Sequence, residues 1–138
     1  MINLKDYISI NESKKNKQYN MFIIIKPGFL SVKDEIFKMI EEDGWEIVNK
    51  KTFKMPHETA EKLYEMHKDK DFYTDLCDYM SSRRCICCTC FKDCKSPVKS
   101  MDRLKNKIRD KFGKDELHNC MHSSDSNKNV RREKNIIF

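Results

Sequence analysis

The chain has 138 residues, enough for about one domain with its own core. Charged residues make up 36% of it, mean hydropathy is −0.80 and net charge is +6. Such a surface suits an anionic partner: nucleotide phosphates, nucleic acid or a membrane surface. No apolar run approaches the length of a membrane span, and Met-Ile-Asn-Leu-Lys-Asp at the N-terminus holds no apolar signal core. An intracellular, cytoplasmic protein is therefore expected, with its seven cysteines as thiols and no membrane partner.

Residues 1–19 are polar and basic, with Lys14, Lys15 and Lys17 breaking any periodicity; they read as a flexible arm before a domain over 20–138. Met21 to Lys26 is a continuous apolar run stopped by Pro27-Gly28, the mark of a strand covered on both faces. Ser31 is placed to cap a helix running to about Asp43, with Ile36, Phe37 and Ile40 on one face and Gly44 closing it. Trp45 to Phe53 alternates as a second strand. Ala60, Leu63, Tyr64 and His67 then follow helical spacing, and a further helix buries Phe72, Tyr73, Leu76, Tyr79 and Met80.

Cys85 to Phe91 reads as a third strand, Lys99 to Arg109 as a charged helix broken by Gly113, and Leu117 to Met121 as a fourth strand. A last helix spans about Asp125 to Glu133. The order reduces to a βαββαβ core with additional helices: a ferredoxin-like α+β sandwich on an antiparallel four-stranded sheet.

Two polar residues stand out. His122 lies where a strand meets a Ser-Ser-Asp turn, with Asn119, Ser124 and Asp125 close by in sequence and Glu133 on the next helix. A lone histidine is more often a hydrogen-bonded structural residue, but Glu133 folding back would fix its tautomer and leave the other ring nitrogen free to attack. Lys26 ends a buried strand at the carboxyl edge of the sheet, where ligands often bind; the plain alternative is a lysine snorkelling to water.

Lys26 sits in IIIKP, followed in order by a helix ending in Gly-Trp, EIV, Tyr64, Phe72, Leu76, YMSS and N-x-x-H-x-S-D. With these motifs the chain resembles the nucleoside diphosphate kinases over Asn20 to Phe138, and the shape FGKDELHN resembles their cilia- and flagella-associated subgroup. The resemblance implies ping-pong transfer of a γ-phosphate through a phosphohistidine on His122, in a homo-oligomer, with Mg2+ held mainly by the nucleotide. It implies that Lys26 and Asn119 contact the ribose hydroxyl, that Lys26 also lies near the phosphate, and that Tyr64 supports Lys26 through its hydroxyl. Phe72 would stack on the base, Arg109 would bind phosphate, and Ser124 and Glu133 would orient His122.

The sequence departs from the family at Gly28, where an aspartate is usual, at Arg83-Arg84, where Gly-Pro is usual, and between Phe91 and Arg109, where the chain is short. That last segment normally supplies a second arginine, for which Arg103 is the candidate, and a threonine with no match here. A domain that keeps the fold as a nucleotide-binding or assembly module is the alternative function. Cys85, Cys87, Cys88, Cys90 and Cys94 offer a rival zinc reading, but strand alternation turns Cys85 and Cys87 away from Cys88 and Cys90, so core packing is favoured. The basic stretch from Lys92 to Lys111 has few aromatics, which argues against nucleic acid.

Overall fold

The structure, a computed structural model, describes residues 18–113, 115 and 118–138. The basic arm therefore lies almost wholly outside the described residues; of it, Tyr19 packs against the core, its ring 5.6 Å from Lys134 Nζ. The strands are β1 (Met21–Ile25), β2 (Glu46–Lys54), β3 (Arg84–Phe91) and β4 (Met121–Ser123). The helices are α1 (Lys33–Glu42), α2 (His57–Leu63), α3 (Tyr73–Met80), α4 (Pro97–Phe112) and α5 (Asn127–Ile137). All strand pairs are antiparallel and the order is β2-β3-β1-β4, the ferredoxin-like arrangement expected.

The central position of β1 explains its composition. All five of its residues have no exposed surface, because α4 and α5 both pack against it. Its partner β3 carries the cysteines: Cys87 lies opposite Ile24, Cys88 opposite Ile23 and Cys90 opposite Met21. Burial pushes the Cys88 thiol up to about 12, so these side chains act as small apolar residues. All seven cysteines are free, and the described residues hold no group of three or more His, Cys, Asp or Glu placed to bind a metal.

Several local expectations are corrected. Ser31 provides no side-chain cap to α1: it sits exposed in a 3-10 turn over Leu30–Val32, which the Phe29 and Val32 amides set by bonding the Lys26 and Phe29 carbonyls. α1 does close at Gly44 (φ +96°), where the Trp45 amide reaches back to the Ile40 carbonyl. The third helix turn fails at Tyr64 (φ −105°), leaving Glu65–His67 as 3-10. Phe72 is 43% exposed, not buried, because it precedes α3.

β4 begins at Met121, and Leu117 falls outside the described residues. The approach to it is bent because side chains take amides a ladder would use. Asp115 Oδ1 accepts from the His118 amide at 2.6 Å and Asn119 Oδ1 from the Met121 amide at 3.3 Å. α5 starts two residues later than expected and runs on to Ile137, capped by Ser126, whose hydroxyl accepts from the Asn129 amide at 3.1 Å.

A core centred on β1 makes a specific demand. Ile23→Ala should lower the unfolding free energy by about 2–5 kcal/mol in urea denaturation. Thr52→Ala, on the exposed surface of β2, should change it by about 1 kcal/mol or less.

Candidate active site

Strand register places the site. Ile24 pairs with His122, so both side chains leave the same face of the sheet, and alternation along β1 puts Phe22 and Lys26 there too. The Phe22 ring centroid lies 6.5 Å from that of His122, edge-on. Just past the end of β1, the Lys26 amide bonds the Cys120 carbonyl at 3.0 Å, which carries the lysine alongside the residues that lead into β4.

α5 returns over this face and supplies Glu133, 3% exposed, whose Oε1 lies 2.5 Å from His122 Nε2. A carboxylate there accepts, so Nε2 carries the proton and Nδ1 keeps its lone pair. Glu133 Oε2 is buried without a hydrogen-bond partner among the described residues. Tyr64, on the residue that ends α2, stands edge-on to the imidazole with centroids 5.7 Å apart. The ring is therefore packed by two aromatics and held by one carboxylate, with only 19% of its side chain exposed.

The cations form the second half of the site. Lys26 is 5% exposed, and its pKa is lowered to about 7, first by burial and then by repulsion from Arg109 and Lys105, against the opposing pull of Cys120 and Asp115. Arg109 on α4 anchors itself on the backbone next to the histidine: Nε and Nη2 both donate to the Met121 carbonyl, at 3.0 and 2.8 Å. Burial lowers its pKa also, and its other N–H donors remain for a ligand.

The remaining expected residues fall out unevenly. Asn119 is buried beside Arg109's anchor and turns its Oδ1 to the Met121 amide. The Ser124 hydroxyl faces the Phe22 carbonyl at 3.4 Å rather than His122. The Tyr64 hydroxyl is buried with no hydrogen-bond partner among the described residues, Lys26 included. Phe72 offers an exposed face near His67, ring centroids 5.3 Å apart.

Arg103 is exposed on α4, roughly 120° round the helix from Arg109 at about 100° per residue. Lys105 lies one turn before Arg109 on nearly the same face, only 14% of its side chain is exposed, and it pairs with Asp102 at 3.1 Å. Its four-residue spacing from Arg109 is visible in the sequence. Two departures noted in the sequence meet in space. Gly28 has φ +91°, and a Cβ there would come within 2.9 Å of the Arg83 guanidinium. The arginine occupies the room that the missing side chain leaves.

Comparison with known proteins agrees with this geometry. A family model described as nucleoside diphosphate kinase matches residues 20–138. The nucleoside diphosphate kinase of Fervidobacterium nodosum is 37% identical over 127 residues, covering 85% of this chain and 86% of the relative. That of Saccharolobus solfataricus is 32% identical over 129 residues, covering 85% and 92%. A crystal structure of the Aquifex aeolicus nucleoside diphosphate kinase superposes with a TM-score of 0.74 at 26% identity, covering 86% of this chain and 93% of that one. These matches do not bear on the likeness to the cilia- and flagella-associated subgroup. With its fold, its register and the matched span in agreement, the chain belongs to the nucleoside diphosphate kinase family.

Proposed function

We propose that the protein is a nucleoside diphosphate kinase-like phosphotransferase that moves the γ-phosphate of a nucleoside triphosphate to a nucleoside diphosphate through His122. The observation that carries this is the hold of Glu133 on Nε2, which leaves Nδ1 as the nucleophilic nitrogen. The Nδ1 lone pair attacks the γ-phosphorus, the bond from that phosphorus to the β–γ bridging oxygen breaks, and the diphosphate leaves with those electrons. The imidazole gains positive charge as the N–P bond forms, and the Glu133 carboxylate offsets it. A terminal phosphate oxygen of the second diphosphate then attacks the phosphorus, the N–P bond breaks, and the neutral ring returns. Family membership favours this over a module that only binds or assembles.

Phosphoryl transfer asks a protein mainly for positioning and for positive charge around the transferring oxygens. Lys26 and Arg109 supply that charge, Asn119 and Lys26 the ribose contacts, and Phe72 a stacking face indifferent to base identity. Ser124 acts through the backbone: its amide and hydroxyl both reach the Phe22 carbonyl and set the turn after the nucleophile. Lys105 takes the part expected of Arg103. Mg2+ held mainly by the nucleotide would add charge neutralisation to that of Lys26 and Arg109. A homo-oligomer and a cytoplasmic setting belong to the same proposal, the latter fitting seven free thiols.

Incubation with γ-labelled ATP should yield an acid-labile, base-stable phosphoenzyme that donates its label to a nucleoside diphosphate. His122→Ala should abolish it; no label on a wild-type protein that binds ATP would refute the reading.

The lowered pKa of Lys26 gives a pH dependence. Phosphate beside the ammonium offsets burial and repulsion, so the bound pKa exceeds the free value of about 7. Between the two values binding takes up a proton, and affinity for a triphosphate should fall as pH rises from 7 to 9, by up to about tenfold per unit. Calorimetry at pH 8 in buffers of different ionisation enthalpy should show the uptake, and Lys26→Met should lose it.

Lys105→Ala should weaken triphosphate binding roughly tenfold or more, as expected for a lost charge-assisted contact, whereas Arg103→Ala should stay within about twofold. Equal effects in the two variants would remove Lys105 from the phosphate site.

A further inference from the structure

Arg132 makes three hydrogen bonds that the phosphotransfer scheme does not use. Its Nη1 donates to the Lys62 carbonyl at 3.0 Å, its Nη2 to the Leu63 carbonyl at 2.8 Å, and its Nε to Asn129 Oδ1 at 3.1 Å. The first two acceptors are last-turn carbonyls of α2, which have no later helical amide to serve them. A guanidinium there satisfies both and puts positive charge at the negative end of the helix.

Asn129 extends the chain of contacts. Its Nδ2 donates to Asp125 Oδ1 at 2.6 Å, and its amide to the Ser126 hydroxyl at 3.1 Å. The polar path thus runs from the turn just after His122, through one side of α5, to the end of α2. Two residues directly beside this path matter to the site. Tyr64 follows Leu63 directly and stands edge-on to the imidazole, and Glu133 follows Arg132 directly and holds Nε2. One turn of α5 therefore grips the nucleophile with one residue and the neighbouring wall with the next.

Beyond Tyr64 that wall is lightly built. The chain passes through the 3-10 turn Glu65–His67 and an exposed stretch to Phe72 before α3 begins. Among the described residues, the helices that α2 packs against most closely are α3 and α5. The Arg132 contacts tie the C-terminal end of α2 to α5 by hydrogen bonds.

We propose that Arg132 is a positioning residue that straps the Tyr64–Phe72 wall to the helix bearing Glu133, so that the nucleotide's base side and its transferring phosphate are held in one frame. The strap acts on nucleotide binding and leaves the chemistry at His122 alone. Its kinetic arm rests on the phosphotransfer reading above; its exchange arm does not.

The test compares wild type, Arg132→Ala and Arg132→Lys by steady-state kinetics and by amide hydrogen exchange. Arg132→Ala should raise the nucleotide KM roughly tenfold with kcat within about twofold, because uniform binding is lost while the transition-state contacts stay. The pH profile of phosphoenzyme formation should not move. Exchange should quicken over Tyr64–Tyr73 and remain slow in β1 and β3, and Arg132→Lys, which keeps charge and a donor, should restore part of the KM. A fall in kcat at unchanged KM would overturn the proposal by placing Arg132's effect on His122 and Glu133. Unchanged KM, or faster exchange throughout the sheet, would overturn it by showing no role or a general loss of stability. Wild-type protein without phosphoenzyme, but with the local exchange effect in Arg132→Ala, would refute the phosphotransfer reading and leave the strap standing.

Discussion

The hydrogen bond between His122 Nε2 and Glu133 Oε1 joins a residue in the middle of an edge strand to one on the final helix, and both partners are buried enough for its geometry to be fixed. A histidine in water exchanges tautomers freely; here the carboxylate selects one. The selection has a structural cost, since Glu133 Oε2 is buried with no hydrogen-bond partner among the described residues. The pairing of His122 with Ile24 makes the contact possible, because it aims the imidazole at the sheet face that α5 covers. Without that register the same residues would point toward the opposite helix layer.

Around this pair the protein gathers like charges. Lys26, Arg109 and Lys105 lie close enough for the latter two to depress the lysine's proton affinity, and burial depresses it further. Such an arrangement opposes folding unless something offsets it, and Asp102 and Asp115 offset only part. A polyanion relieves both burdens together. In the proposed function, occupation by a triphosphate offsets the electrostatic cost of the free protein.

Much of this was legible in the sequence where one physical rule dominates. The apolar run Met21 to Ile25 could only be a central strand, and the cysteine alternation marked β3 as buried on both faces. His122, Glu133, Lys26 and Arg109 were expected to share a site, and strand pairing and a return helix bring them close together. The misses arose where local spacing competes with longer-range contacts. Phe72 fits a helical stripe, yet α3 starts after it and leaves it exposed. Leu117 to Met121 looks like a strand, but Asp115 and Asn119 bend the chain before β4. Arg103 stands on an exposed side of α4, whereas Lys105 shares a face with Arg109. Arg83 over Gly28 and Arg132 on α2 depend on contacts across distant segments, which no window of sequence displays.

Glu133 holds Nε2 and, in the proposed reaction, so reserves Nδ1 for the phosphate. Nuclear magnetic resonance on phosphoenzyme labelled with ¹⁵N at histidine distinguishes the two nitrogens through their coupling to phosphorus. The account requires the phosphate on Nδ1 of His122, with Nε2 protonated. Phosphate on Nε2, or on any residue other than His122, would contradict it.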